Sequence, residues 1–134
     1  MEVDFTTLGE GKLPGHMGIE VGEVGHGLVR MRIGLQEHHL APNGYLHAAT
    51  VVALADTACG YGCRNNLPDG GIGFTTIELK TNFLGTVLEG GIACVATMVH
   101  GGRTTQVWDA VVTAEETGKT IALFRCTQLV IYAR

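Results

Sequence analysis

Residues 42–63 read PNGYLHAATVVALADTACGYGC and predict the one long helix of the chain. The Pro-Asn-Gly at 42–44 is strong turn chemistry. From Leu46 to Cys63 there is no proline and no strict alternation of apolar and polar residues. The segment is apolar on nearly every side, which is typical of a helix enclosed by other structure. A buried central helix is therefore expected here.

Six strands are predicted around this helix: 28–36 and 75–83 alternate apolar and polar residues at period two, and the last three strands are rich in Val, Ile, Thr, Trp and Phe. Turn residues separate the strands, with Gly-His-Gly at 25–27 making the first hairpin. The six strands are expected at 18–24, 28–36, 75–83, 91–99, 104–114 and 119–132. Two strands, one helix and four strands, joined mostly by short connections, predict an α+β fold in which a curved antiparallel sheet wraps around one long central helix.

The length of 134 residues and the composition predict one domain that associates with copies of itself. Residues 1–15 show no periodicity and are expected to form a flexible or lightly packed lead-in to a domain spanning 16–134. Apolar residues make up 46% of the chain and charged residues only 16%. Because that charge is sparse for a monomer, some apolar surface is expected to lie between subunits.

Charge and hydropathy argue against nucleic-acid and membrane partners. The net charge is -4, with no run of Lys or Arg. No stretch approaches the roughly 18 apolar residues of a membrane span, and the N-terminus is unlike a signal peptide, so a cytoplasmic location is expected. The four cysteines form no Cys-x-x-Cys motif and lie in apolar segments, which favours reduced core thiols over a metal site. No cofactor is expected.

Asp56 is the residue that most strongly indicates chemistry. Burying an unpaired charge is expensive, so a carboxylate in the middle of an apolar helix must meet a partner, change its pKa or face a cavity. Functional sites commonly hold such groups. A catalytic carboxylate is the favoured interpretation, with a structural aspartate in a simple dimerisation domain as the alternative.

The start of the helix is a second candidate feature. The first backbone N–H groups of a helix lack intrahelical partners, and the helix dipole favours negative charge there. The Ala48 N–H is therefore a candidate oxyanion donor, while His47 is either a functional group or an N-terminal cap. Nine residues separate His47 from Asp56, which puts them on opposite faces and about 13 Å apart.

A twofold axis would solve this separation. Two antiparallel copies of the helix would bring Asp56 of one subunit near the Ala48 N–H of the other, so a shared active site is expected. Gly60 and Gly62 are expected to allow the close approach of another backbone. In addition, the turn at 100–104 combines flexible N–H groups, a guanidinium and a hydroxyl, which phosphate sites use, although an ordinary hairpin turn is an equal alternative.

The segment from Pro42 to Ala58 resembles the signature of hotdog-fold thioesterases of the PaaI-like and 4-hydroxybenzoyl-CoA type. In that family a His-Gly-Gly starts the central helix and an acid follows nine residues after the His. The resemblance implies hydrolysis of an acyl-CoA thioester by a homodimer, which the family commonly pairs into a dimer of dimers. It makes Asp56 the nucleophile or general base, Ala48 the N–H that polarises the carbonyl, and His47 a group that holds the thioester.

The resemblance extends over later segments and implies which residues bind the substrate. The residues that would line the CoA tunnel or its phosphate mouth are Thr76, Phe83, Leu84, Gly85, His100, Gly101, Gly102, Arg103 and Thr104.

Two departures from the family pattern affect this expectation. Ala48-Ala49 replaces the paired glycines, which keeps the donor but narrows the space beside the thioester. Ala41 stands where Gln or Asn is frequent and Gly60 where Ser or Thr is frequent, so Asn43 is expected to supply the missing amide. If it does not, the alternatives are a non-catalytic acyl-CoA binding protein and, less favoured, a hydratase.

Overall fold

The structure, a computed structural model, describes residues 2–134 and confirms the predicted α+β architecture. Its elements are α1 (Leu13–His16), β1 (Ile19–Val24), β2 (Leu28–Gly34), a 3-10 turn (Glu37–His39), α2 (Ala48–Asn65), β3 (Gly71–Phe83), β4 (Gly91–Gly101), β5 (Thr105–Ala114) and β6 (Thr120–Tyr132). β3 begins four residues earlier than the alternation predicts, because Gly71–Phe74 also pair with β6 although their glycines interrupt the pattern.

The six strands form one antiparallel sheet in the order β1-β2-β4-β5-β6-β3. The meander β4-β5-β6 is confirmed. β3 follows the long helix in sequence but lies at the far edge of the sheet, where it pairs only with β6. This crossover leaves β1 and β3 as the two edge strands.

The helix α2 lies on the inner face of the curved sheet and forms the core with it. Leu54, Ala55 and Ala58 of the helix are fully buried, as is Trp108 on β5. Residues on β5 and β6 alternate between buried inner positions and more exposed outer ones. The prediction of an enclosed helix is confirmed for most of its length, although its first residues, Ala48 and Ala49, are exposed.

The two helix glycines contact aromatic side chains of the same chain. A Cβ at Gly62 would lie 2.5 Å from the Trp108 ring, and one at Gly60 would lie 3.2 Å from the Phe74 ring. The close approach at Gly62 therefore lets α2 rest on the buried indole. These contacts are within one subunit, whereas the sequence suggested that another backbone approaches there.

Residues 4–16, in the predicted lead-in, form successive turns and α1 over one side of α2. The rings of Phe5 and Tyr61 lie 5.4 Å apart, and the Gly15 N–H donates to the Gly9 carbonyl at 3.0 Å. The segment covers the Tyr61 side of the helix.

On the β3 side, the inner face of the sheet is left open. Leu79 and Phe83 are paired with the buried inner-face residues Cys126 and Ala122, so they face inward too. They are nevertheless 43% and 49% exposed. No element among residues 2–134 covers them.

Candidate active site

Asp56 lies in the middle of α2 and has an unsatisfied oxygen. Its Oδ1 is inaccessible and has no hydrogen-bond partner among residues 2–134. Burial raises the pKa of Asp56 above that of an ordinary aspartate, and no basic side chain offsets this effect. A carboxylate in this state is a stronger base than an exposed one and lacks the partners that a structural aspartate has.

The first turn of α2 presents hydrogen-bond donors. His47 is the N-cap residue, and its Nδ1 accepts from the Ala49 N–H at 2.9 Å. Because Nδ1 accepts, Nε2 carries the ring proton when His47 is neutral. The capping and functional interpretations of His47 are therefore compatible. The Ala48 N–H has no hydrogen-bond partner within the described chain, so two donors remain there for a ligand.

The loop before α2 is closed by short-range bonds. The Gly44 N–H donates to Ala41 O (2.8 Å), and the Ala41 N–H donates to Tyr45 O (2.7 Å). Asn43 is exposed at the tip, and its Oδ1 accepts from the Tyr45 N–H at 3.1 Å. Within one chain the Asn43 oxygen therefore stabilises its own turn. Its predicted role as a replacement amide stays a prediction.

One chain does not bring the acid and the donors together. Ala48 and Asp56 are on the same continuous helix, with a rise of about 12 Å between them. Because α2 is continuous over this length, the separation expected from the sequence is present in the folded chain, and the shared site stays a prediction.

Two of the predicted binding segments lie near the C-terminal end of α2. Thr76 donates through Oγ1 to Gln128 Oε1 at 2.6 Å. The turn that includes Arg103 is held by a bond from the Gly102 N–H to Thr105 O and by one from the Tyr132 hydroxyl to Arg103 O. Thr105 and Thr75 both pair with Leu129, so the turn and Thr76 are separated by about 10 Å, two strand spacings.

The guanidinium of Arg103 is free to meet a ligand. Arg103 is exposed and makes no ion pair within residues 2–134. A Cβ at Gly102 would lie 3.1 Å from the Thr105 carbonyl oxygen, so position 102 has little room for a side chain. The turn is therefore a fixed backbone frame with one exposed cation.

The third binding segment, 83–85, lies at the opposite end of β3. The N–H groups of Leu84 and Gly85 both donate to Ile121 O, at 2.8 and 3.2 Å. Phe83 and Leu84 are about half exposed. Seven residues of strand separate Phe83 from Thr76, about 23 Å. A single chain therefore splits the predicted binding residues into two distant groups.

β3 offers a long unpaired edge next to these groups. It has 13 residues and one neighbour, β6. Ile72 and Ile77 are 58% and 57% exposed on it, and Leu79 and Phe83 add apolar surface. A long exposed apolar edge strand is a template for pairing with another chain.

Sequence reasoning missed several polar groups around the site. Thr81 faces inward on β3, paired with buried Phe124, and its Oγ1 has no partner among residues 2–134. His39 and Thr50 are buried beside the start of α2. A histidine next to the turn at 42–44 was visible in the sequence, but its burial depends on contacts with distant segments.

Comparisons with known proteins agree with this geometry. Residues 43–121 match the thioesterase superfamily. A 1,4-dihydroxy-2-naphthoyl-CoA hydrolase of Listeria monocytogenes is 32% identical over 111 residues, covering 83% of this chain and 89% of the relative. A putative esterase of Bacillus subtilis is 38% identical over 90 residues, covering 67% and 71%. A thioesterase crystal structure from Haemophilus influenzae has a TM-score of 0.87 at 28% identity, covering 95% of this chain and 87% of that one.

The curved six-stranded sheet around α2 is a hotdog fold, as the sequence predicted. The chain belongs to the thioesterase superfamily and is a thioester hydrolase. Among residues 2–134, no helix combines the length and apolar character needed to cross a bilayer.

Proposed function

We propose that this protein hydrolyses acyl-CoA thioesters as a homodimer in which each active site uses both subunits. The observation that carries the proposal is Asp56, whose buried oxygen has no partner while the donors it needs lie about 12 Å away on the same helix. The name of the Listeria monocytogenes relative specifies a CoA thioester, which supports this substrate class.

The β3 edges of two copies are the proposed subunit contact. Antiparallel pairing about a twofold axis would place the end of one β3 beside the start of the other. Phe83–Gly85 of the partner subunit would then lie next to the Thr76 and Arg103 group, which joins the two halves of the binding set. The same symmetry directs the start of the partner's α2 toward the middle of the first α2, where Asp56 lies.

The outer face of the sheet is the proposed contact between dimers. Val111, Leu123, Leu129 and Ile131 are 37–44% exposed there. The Asp109–Arg125 pair lies on the same face. An apolar face whose Asp and Arg side chains pair with each other can pack against the same face of a second dimer, which gives a dimer of dimers.

The chemistry follows from these parts. The thioester carbonyl oxygen accepts from the Ala48 N–H of one subunit, with the His47 Nε2–H as a second donor near the thioester. Asp56 of the other subunit either removes a proton from the attacking water or attacks the carbonyl carbon itself. The tetrahedral oxyanion collapses and the C–S bond breaks. In the general-base route, the proton that Asp56 took from water passes to the departing CoA sulfur. In the nucleophilic route, CoA leaves as the thiolate and takes up the proton that is released when water attacks the acyl-enzyme. In the nucleophilic route, water then hydrolyses the acyl-aspartyl anhydride.

The CoA nucleotide is proposed to bind at the 100–104 turn. Phosphate groups favour a guanidinium and fixed backbone N–H groups, and this turn supplies an exposed Arg103 on a packed frame. The acyl group then points toward the uncovered apolar surface of Leu79 and Phe83.

A slow thioester hydrolase, which binds acyl-CoA but cleaves it at a low rate, is the second candidate. One observation favours it: the Asn43 oxygen already accepts from the Tyr45 N–H, and Ala41 has no amide. Saturable binding of acyl-CoA with only slow thiol release would support this candidate.

The test is thiol release from short-chain, medium-chain and aryl acyl-CoAs. Asp56→Asn should remain a folded dimer and lose about two to four orders of magnitude in kcat, because it lacks the base or nucleophile. Asp69→Asn, which changes an exposed loop aspartate, is the matched control and should behave as wild type. Unchanged turnover in Asp56→Asn would remove Asp56 from the mechanism.

A further inference from the structure

His39 is a buried polar residue that the proposed mechanism does not use. It closes the 3-10 turn between β2 and α2 and is 1% exposed. Both ring nitrogens are bonded: Nδ1 accepts from the Gln36 N–H at 2.9 Å, and Nε2 lies 2.7 Å from Met17 O. A merely space-filling residue would not need both bonds.

These two partners fix the state of the ring. The Gln36 backbone N–H can only donate, so Nδ1 must be unprotonated. Met17 O can only accept, so Nε2 must carry the proton. Through these two bonds the His39 ring joins the 3-10 turn to the residues just before β1.

The backbone of His39 connects this fixed point to the candidate active site. Its carbonyl accepts from the His47 N–H at 3.1 Å and from Thr50 Oγ1 at 2.8 Å. His47 and Thr50 flank Ala48, whose N–H is the proposed oxyanion donor. The single His39 carbonyl therefore holds the N-cap residue and the first turn of α2 together.

The loop between His39 and His47 is otherwise held mainly by backbone hydrogen bonds within the loop itself. Residues 40–46 close on themselves through the Leu40–Leu46 bridge and the bonds around Ala41. Asn43, Gly44 and Tyr45 at the tip are exposed. Besides the core packing of α2, the hydrogen bonds that tie its N-terminus to the preceding chain are those of the His39 carbonyl with His47 and Thr50.

We infer that His39 is a positioning residue for thioester hydrolysis, which sets the orientation of the Ala48 N–H and His47 through its carbonyl. This inference rests on the proposed function. His39 acts through other residues and does not touch the substrate. Thr50 is a second positioning residue, because its hydroxyl donates from the helix to the same His39 carbonyl.

The variants separate positioning from folding. His39→Leu removes both ring bonds, whereas His39→Asn keeps an acceptor near the Nδ1 position for the Gln36 N–H. Thr50→Val is nearly isosteric and removes only the hydroxyl donor. Glu37→Gln is the matched control, because Glu37 is an exposed neighbour in the same turn.

We expect His39→Leu and Thr50→Val to lower kcat by about 10- to 100-fold, since a small misplacement of a catalytic group has effects of this size. KM should change little. His39→Asn should recover part of kcat, and Glu37→Gln should match wild type. Amide hydrogen exchange, followed by mass spectrometry, should accelerate at residues 40–51 and stay unchanged at 58–65.

The outcomes are distinguishable. Wild-type kcat in His39→Leu and Thr50→Val overturns the inference, as does faster exchange along the whole of α2 with kcat and KM changed together. If the wild-type protein releases no thiol from any acyl-CoA, the proposed function fails. Amide hydrogen exchange then remains as the test of whether His39 positions the start of α2. Faster exchange confined to residues 40–51 would support that role, and unchanged exchange there would overturn it.

Discussion

The shared active site makes a quantitative prediction for mixed dimers. Ala48→Pro removes the proposed oxyanion donor without removing the helix, because proline suits the first helical position and lacks only an N–H that already has no partner. The preceding residue, His47, has φ -69° and ψ 133°, which proline tolerates. Losing one oxyanion donor should lower kcat by about 10²- to 10³-fold. Ala48→Gly keeps the N–H and is the control.

Asp56→Asn damages the other half of the site. In a mixed dimer of Ala48→Pro and Asp56→Asn subunits, one site receives both defects and the other receives neither. If equal amounts reassociate at random, half of the dimers are mixed and half of their sites are intact, so activity recovers to about a quarter of wild type.

The assay is thiol release before and after the two pure variants are unfolded together and refolded. Each variant refolded alone is the control for recovery of the fold. If the mixture stays at the mean of the two inactive variants although mass spectrometry shows mixed dimers, then Asp56 and Ala48 do not act together across subunits, and the reasoning from helix length is wrong.

Three further predictions concern packing, ionisation and substrate binding. Gly62→Ala should destabilise the fold by about 1–2 kcal/mol in urea unfolding, because overpacking against Trp108 outweighs the gain in helix propensity, whereas Gly60→Ala should be neutral or stabilising. Equal stabilities would contradict this. Burial raises the pKa of Asp56, and the deprotonated carboxylate is the reactive form. As the pH is lowered, kcat/KM should therefore fall with an apparent pKa above the ordinary aspartate value of about 3.9. An apparent pKa at or below that ordinary value would argue against a buried base. Arg103→Gln should raise KM for acyl-CoA but not for the matching N-acetylcysteamine thioester, which lacks the nucleotide; equal increases would exclude a phosphate role.

Local patterns were sufficient to predict α2 and the six strands, but not α1 or the 3-10 turn. The alternation on each strand and the turn at 42–44 depend on neighbouring residues, which the sequence displays directly. The position of β3 beside β6 depends on a long crossover, and alternation carries no information about it. The same limit explains the early start of β3, where Gly71 and Gly73 pair with β6 without contributing to an apolar pattern.

The residues of the candidate site also fall into those that local sequence predicts and those that depend on distant contacts. Asp56 and Ala48 were predictable because a charge in an apolar helix and the free N–H groups of a helix start are local properties. Gly62 was interpreted as a contact with another backbone because the sequence could not show that Trp108, 46 residues later, occupies that space. His39 was missed for a similar reason, since its partner Met17 lies 22 positions earlier.

The bonds at the start of α2 explain why the Ala48-Ala49 departure is compatible with catalysis. His47 already uses the Ala49 N–H as a cap, so the donor available to an oxyanion is the Ala48 N–H, which an alanine supplies as well as a glycine. A side chain at position 49 affects the space beside the thioester and leaves the charge arrangement unchanged. The departure should therefore select among acyl groups while leaving the hydrolytic step intact, and Ala49→Gly should widen the range of acyl-CoAs accepted without raising kcat for the best one. A fall in kcat for every substrate would show instead that the methyl group holds the helix start in place.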